Sequence, residues 1–167
     1  MLRLSKLTDY AVVVLVRLSQ ANPGEDAPHT SPQTSPGIAT AIGIPEPTVA
    51  KVLKALTGSG LVVSQRGARG GYRLARPLAA IPVSDVIAAI DGPIALTACV
   101  DGALIACETS SLCPVAGRWD LVNTAIHAAL SAITLADMAE SAIPRAFRLP
   151  HPMQAPHGHP AHIPAAE

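Results

Sequence analysis

The 167-residue chain is poor in aromatic rings, in charge and in cysteine. Its four aromatic residues are Tyr10, Tyr72, Trp119 and Phe147. That excludes a core of stacked rings and leaves Leu, Val, Ile and Ala to fill the interior, a set that suits packed helices. Charged residues are 14% of the chain and the formal net charge is zero, yet 49% of residues are hydrophobic, a globular composition. The apolar run Ala11–Val16 behind Arg3 and Lys6 is six residues long. It is too short for a secretion-signal core, and far short of the roughly 20 residues needed to cross a membrane. The sequence also lacks a nucleotide-binding glycine loop, paired carboxylates set for acid–base work, and a Cys/His pair with a supporting acid. His127 falls on an expected helix and reads as packed or solvated. An enzyme is therefore the weakest functional class.

The zero net charge conceals a division. Residues 1–80 carry nine Lys/Arg against four Asp/Glu, whereas residues 81–167 carry three against eight. A basic front half points to a polyanionic partner for that half alone.

Hydrophobic spacing organises the chain. Leu7, Ala11, Val14, Leu15 and Leu18 predict a first helix from Leu4 to about Gln20, ended by Asn22-Pro23-Gly24. A loop follows over residues 22–34. Ser35-Pro36 reads as an N-cap and first helical proline opening a short helix to Gly43, with Ile38, Ala41 and Ile42 inward. After Ile44-Pro45, a third helix runs from about Glu46 to Thr57. Val49, Val52, Leu53 and Leu56 form its buried stripe, and Thr48, Lys51, Lys54 and Ala55 face outward; Gly58 or Gly60 closes it. Leu61–Ser64 and Tyr72–Leu74 are short strands flanking Gln65-Arg66-Gly67-Ala68-Arg69-Gly70-Gly71, a glycine-rich hairpin tip.

Three helices and such a hairpin predict a mainly α fold, a winged helix-turn-helix with a two-stranded wing. A fourth helix is expected over Pro82–Ile90, ended by Asp91-Gly92-Pro93. Pro114 to about Glu140 reads as one long helix of roughly 40 Å. Trp119, Val122, Ile126, Ala129, Ile133 and Ala136 give it a heptad-like seam that asks for a partner subunit. The expected organisation is a DNA-binding domain over 1–80, a helix and cysteine loop over 81–112, a dimerisation helix over 113–142, and a tail over 143–167. Residues 151–167 hold four prolines and four of the six histidines, and this stretch is expected to be disordered.

In a helix-turn-helix the second helix enters the major groove with its N-terminal residues at base edges. Here it offers Thr48 and Lys51, with Lys54 one turn on; Thr suits either base and Lys suits guanine or phosphate. Arg66 and Arg69 on the glycine-framed tip suit a narrow minor groove. From Pro45 to Ala80 there are six Lys/Arg and one acid, Glu46.

The only cysteines, Cys99, Cys107 and Cys113, fall within fifteen residues. An odd, tight cluster is unlike a secreted disulfide framework and fits thiols kept reduced in a cytosol. Zinc sites usually show close Cys pairs and four ligands. Three looser thiolates suit an iron–sulfur cluster, while structural zinc and free or disulfide-forming thiols are the alternatives. Cys113 followed by Pro114 reads as the N-cap of the long helix, whose dipole would favour a thiolate.

These residues together resemble the IscR-type winged-helix transcription regulators, in particular repressors of iron–sulfur cluster assembly (SUF) operons. The resemblance is carried by Lys6-Leu7-Thr8-Asp9-Tyr10-Ala11, by Ile44-Pro45-Glu46-Pro47-Thr48-Val49-Ala50-Lys51-Val52-Leu53, and by Gly60-Leu61-Val62. It continues through Arg66-Gly67-Ala68-Arg69-Gly70-Gly71-Tyr72, Val86-Ile87, Asp91-Gly92, the three cysteines and Ile133-Thr134-Leu135-Ala136-Asp137-Met138. It spans about residues 1–140. The resemblance implies a cytoplasmic homodimer crossed through the long helix and bound to a near-palindromic operator in double-stranded DNA. It further implies a [2Fe-2S] or [4Fe-4S] cluster on Cys99, Cys107 and Cys113 that sets affinity, with no membrane and no small-molecule substrate. By the same resemblance Arg66 enters the minor groove, and Pro47, Thr48 and Lys51 lie at the recognition-helix contacts. Two positions depart from the pattern. Ala50 stands where one member has an operator-discriminating glutamate. Ala116 stands where some members have a histidine cluster ligand, leaving Asp101, Glu108, Asp120, a partner residue or solvent for the fourth place.

Overall fold

The apolar stripe of the third helix decides the architecture. In the computed structural model, which describes residues 4–20, 32–67, 70–98, 100, 113–115 and 117–139, α1 (Lys6–Ser19), α2 (Ser35–Ile42) and α3 (Glu46–Gly58) pack on one another. Val49, Val52, Leu53 and Leu56 of α3 are completely buried. They meet Ala11, Val14, Leu15 and Leu18 of α1 and Ile38 and Ala39 of α2 in one core. Each Val, Leu or Ile side chain among them contributes about 1.5–3 kcal/mol by leaving water.

The caps follow from local chemistry. Ser5 caps α1, its Oγ accepting the Thr8 N–H. The N-cap of α2 is Thr34 rather than Ser35: Thr34 Oγ1 accepts the Gly37 N–H, and Ser35-Pro36 become the first helical residues. The pair Thr34-Ser35 offers equivalent cap oxygens, so the frame shifts by one residue. The inward face of α2 correspondingly uses Ile38 and Ala39, while Ala41 is exposed and Ile42 half-buried. Gly43 (φ 68°) ends α2.

At the end of α3 the Leu61 N–H bonds the Leu56 carbonyl (3.0 Å) and the Gly60 N–H bonds the Thr57 carbonyl (3.1 Å). Gly60 has φ 75°. This Schellman closure turns the chain directly into the wing. Strands β1 (Val62–Gln65) and β2 (Gly71–Leu74) pair antiparallel, Val62 opposite Leu74 and Gln65 opposite Gly71. Val62 and Leu74 are buried in the core and anchor the base of the wing. A 3-10 turn, Leu78–Ala80, leads into α4 (Val83–Asp91), which packs on α1 and α3.

The long helix expected from Pro114 to Glu140 is instead two helices, α5 (Trp119–Ser131) and α6 (Leu135–Ala139). Thirteen residues give α5 a length of about 20 Å. Two features divide the stretch. At its start, Gly117 has φ 70°, outside helical geometry. Near its end, Thr134 and Asp137 form a reciprocal capping box: Asp137 accepts the Thr134 N–H (2.9 Å) and hydroxyl (2.7 Å), and Thr134 Oγ1 accepts the Asp137 N–H (3.3 Å). The backbone at the break pairs with the start of α4, Val83 N–H to the Ile133 carbonyl and Leu135 N–H to the Ile81 carbonyl, both at 2.9 Å. Leu135 thereby becomes a fully buried core residue. The seam is divided with it: Trp119, Val122 and Ala129 are exposed, while Ile126, Ile133 and Ala136 are half-buried. The loop at 21–31 and the tail from 140 onward lie outside the described residues. Among the described residues no helix is long and apolar enough to cross a membrane.

Two predictions test this packing. Leu135→Ala should cost about 2–5 kcal/mol in denaturant unfolding, the range for a buried leucine; a cost below about 0.5 kcal/mol would mean that α6 is not docked. Asp91 gives the second. Partial burial pushes its carboxyl up, but hydrogen bonds from Ser5 and Thr8 outweigh this and hold it below its ordinary value. A carboxyl lowered in the folded state stabilises the fold above its unfolded pKa, and the effect fades as pH falls through the folded value. The stability gap between wild type and Asp91→Asn should therefore be full at neutral pH and shrink below about pH 4. A gap constant down to pH 2 would contradict the assignment.

Candidate nucleic-acid interface and cysteine loop

With the α3 stripe buried, its opposite face is fixed in the open. Pro47, Lys51 and Lys54 are exposed and Thr48 is half-exposed. Pro45 is the N-cap, and its carbonyl accepts the N–H groups of Thr48 (2.9 Å) and Val49 (3.1 Å). Proline within the first turn costs no helical hydrogen bond there and presets the turn. The one acid of the region, Glu46, accepts the Ser35 hydroxyl at 3.0 Å. That bond ties the N-terminus of α3 to the N-terminus of α2, fixing the two helices of the motif at their ends.

The wing lies beside this face. Ala50, Lys54 and Thr57 of α3 line a shallow groove with Ser64 and Tyr72 of the two strands, so helix and wing present one surface. Arg66 is exposed at the tip, next to Gly67 at φ 113°. Gly70 cannot be replaced without rearrangement, since an added Cβ would stand 2.5 Å from the Gln65 carbonyl oxygen. Arg69 lies outside the described residues. Arg76, counted among the six basic residues of this region, is ion-paired with Asp85 of α4, a structural use that takes it from the DNA-facing set.

Sequence reasoning missed Gln33. Its N–H donates to the Tyr72 carbonyl (2.9 Å) and its carbonyl accepts the Tyr72 N–H (2.8 Å). An isolated bridge thus buttresses β2 from the segment before α2. An added Cβ at Gly71 would come within 2.6 Å of the Gln33 carbonyl oxygen, so this approach depends on glycine. A single bridged residue leaves no periodic signal, and nothing in the sequence pointed to it.

The cysteine loop is described only at its edges. Cys99 and Cys107 lie outside the described residues, as do Asp101, Glu108 and Ala116. Val100 is buried. Cys113 is half-buried and is not a helix N-cap: a turn closed by the Arg118 N–H and Val115 carbonyl (3.1 Å) separates it from α5, whose first residue is Trp119. Asp120 stands in the first turn of α5 and is half-buried. Among the described residues no three His, Cys, Asp or Glu side chains converge on a metal-sized site. One residue near this loop was also missed, Asn123. It is a buried polar residue inside α5 whose side chain bonds the backbone at Ile94 and Leu96. Its helical neighbours at i−3 and i+4 are the polar Asp120 and His127, so the spacing carried no signal of its burial.

Comparison with known proteins places this geometry. The chain is 36% identical over 145 residues to the "Putative HTH-type transcriptional regulator MT1325" of Mycobacterium tuberculosis, covering 86% of this chain and 84% of that one. Among solved structures it resembles IscR of T. potens, with a TM-score of 0.54 and 31% identity over 82% of this chain and 85% of that chain. It also resembles CymR, the global cysteine regulator of B. subtilis, with a TM-score of 0.59 and 27% identity over 83% and 97%. The family described as "Rrf2: Iron-dependent Transcriptional regulator" matches residues 4–141. With a winged helix-turn-helix and no enzyme among these relatives, the chain belongs to the Rrf2 family of helix-turn-helix transcriptional regulators.

Proposed function

We propose that this regulator represses genes of iron–sulfur cluster assembly or iron homeostasis, and that an iron–sulfur cluster on Cys99, Cys107 and Cys113 sets its affinity for DNA. The observation that carries the reading is the position of all three thiols. They fill the connection between α4, packed into the DNA-reading body, and α5. The donor chemistry fits: soft thiolates are the ligands such clusters take, and Cys113 keeps partial access to solvent. The likeness to IscR supports the same reading. A bound cluster would supply a reversible change of charge and ligation within the loop. The fourth place falls to Asp101, Glu108, Asp120, a residue of the other subunit or solvent, and of the three acids Asp120 alone lies among the described residues. A second reading has the thiols sense oxidants directly or hold zinc; Cys113, half-buried and outside any disulfide, is open to either.

DNA contact follows from the exposed face. Thr48 and Lys51 meet base edges in the major groove, Pro47 and Lys54 flank them, and Arg66 and Arg69 carry the wing to the minor groove. Two copies are needed to read a near-palindromic operator. The uncovered apolar surface of α5, with Leu121 80% and Trp119 42% exposed, supplies a face for the second copy.

Two outcomes are expected. Anaerobically purified protein should be brown, with visible absorption lost in Cys113→Ala; a colourless protein containing zinc or only free thiols would instead establish the second reading. On a duplex selected by the wild-type protein from a random pool, Lys54→Ala and Arg66→Ala should each weaken binding. Each should reduce the steepness of log affinity against log salt by about 0.9 for every phosphate left unneutralised. A salt slope unchanged in both variants would remove these residues from the interface.

A further inference from the structure

The segment that leaves α4 and runs into the cysteine loop is held by polar side chains at both ends. At its start, the Asp91 carboxylate accepts the Thr8 hydroxyl (2.7 Å) and the Ser5 N–H (3.2 Å), both at the N-terminus of α1. Further on, the side chain of Asn123 in α5 accepts the Leu96 N–H (3.1 Å) and donates to the Ile94 carbonyl (2.9 Å). Leu96 stands three residues before Cys99.

Packing contributes little on the side facing α1. An open cleft of about 720 Å³ lies there, lined by Leu4, Lys6 and Ile87 together with the segment itself. Ile94, Ala95 and Leu96 are only half-buried. Asn123 is 9% exposed, and both halves of its amide are used on a backbone segment distant in sequence. Asparagine is a weak helix former, so its place within α5 is accounted for by this pair of bonds rather than by the helix. An apolar side chain there would leave a backbone donor and acceptor without partners.

We infer that Asn123 is a positioning residue that couples the cysteine loop to α5, while Asp91 couples the same segment to α1 of the DNA-binding body. A change at Cys99 then reaches Leu96 within three residues, and from there reaches α5 through Asn123. The clamp stands on the described geometry; what moves the loop rests on the cluster-sensing reading above.

The test uses the full chain with Asn123→Ala and Asn123→Asp. The aspartate keeps the acceptor toward Leu96 and loses the donor toward Ile94. In cluster-free protein, hydrogen exchange at the Leu96 amide should be about tenfold faster or more in Asn123→Ala. It should stay near wild type in Asn123→Asp, and the core amides of Leu53 and Leu56 should not change in either. The ratio of DNA affinities between cluster-loaded and cluster-free forms, at matched iron content on the same selected duplex, should shrink about tenfold in Asn123→Ala. Should that variant fail to fold, Asn123→Asp carries the affinity measurement, with a smaller reduction expected. Unchanged Leu96 exchange, or an unchanged ratio where the wild-type ratio departs from one, overturns the coupling. A wild-type ratio of one with accelerated Leu96 exchange in the variant overturns the cluster-sensing reading alone and leaves the clamp standing.

Discussion

The burial of one face of α3 is the constraint on which the rest depends. Val49, Val52, Leu53 and Leu56 must leave water together, and only one rotation of the helix about its axis buries all four. That rotation exposes Pro47, Lys51 and Lys54 and leaves Thr48 half-exposed. The presentation of polar and basic groups is thus a by-product of aliphatic packing. The Schellman closure at Gly60 extends the same constraint, because it directs the chain from α3 into β1 without a flexible linker. Wing and helix are then parts of one body, and their relative position is set by the core rather than by DNA.

The other half of the molecule is attached to that body by a few specific bonds. Leu135 and the backbone pairing of Ile133 and Leu135 with the start of α4 return the chain to the core after α5. Asp91 and Asn123 fix the way into the cysteine loop. α5 is therefore tied to the DNA-binding body at its far end, while a polar clamp connects it to the loop near its beginning. A loop held by hydrogen bonds over an open cleft responds to local chemistry more readily than one held by close packing.

Elements built on repeated apolar spacing were legible from the residues alone. The α3 stripe, the two strands around a glycine-rich tip and the end of α4 at Asp91-Gly92 are all local patterns, and the structure contains each of them. Features that depend on a choice between equivalent local solutions were not. Thr34 and Ser35 are both good caps, and the helix uses Thr34. The seam through Ile133 and Ala136 preserved helical spacing across a true boundary, so periodicity alone joined α5 to α6. The threonine–x–x–aspartate signature at Thr134 and Asp137 was present and marks that boundary. Gln33 and Asn123 act on distant backbone, which spacing cannot reveal. The three cysteines stand together in the sequence, but no periodicity bears on how they are arranged.

In the proposed function the loop carrying Cys99, Cys107 and Cys113 governs the surface built on α3 and the wing. One anaerobic sample suffices to check this, by measuring affinity for a selected duplex before and after a chelator removes the iron. A change of tenfold or more, about 1.4 kcal/mol, is expected, with the protein remaining folded. Equal affinities before and after complete loss of the chromophore would contradict it.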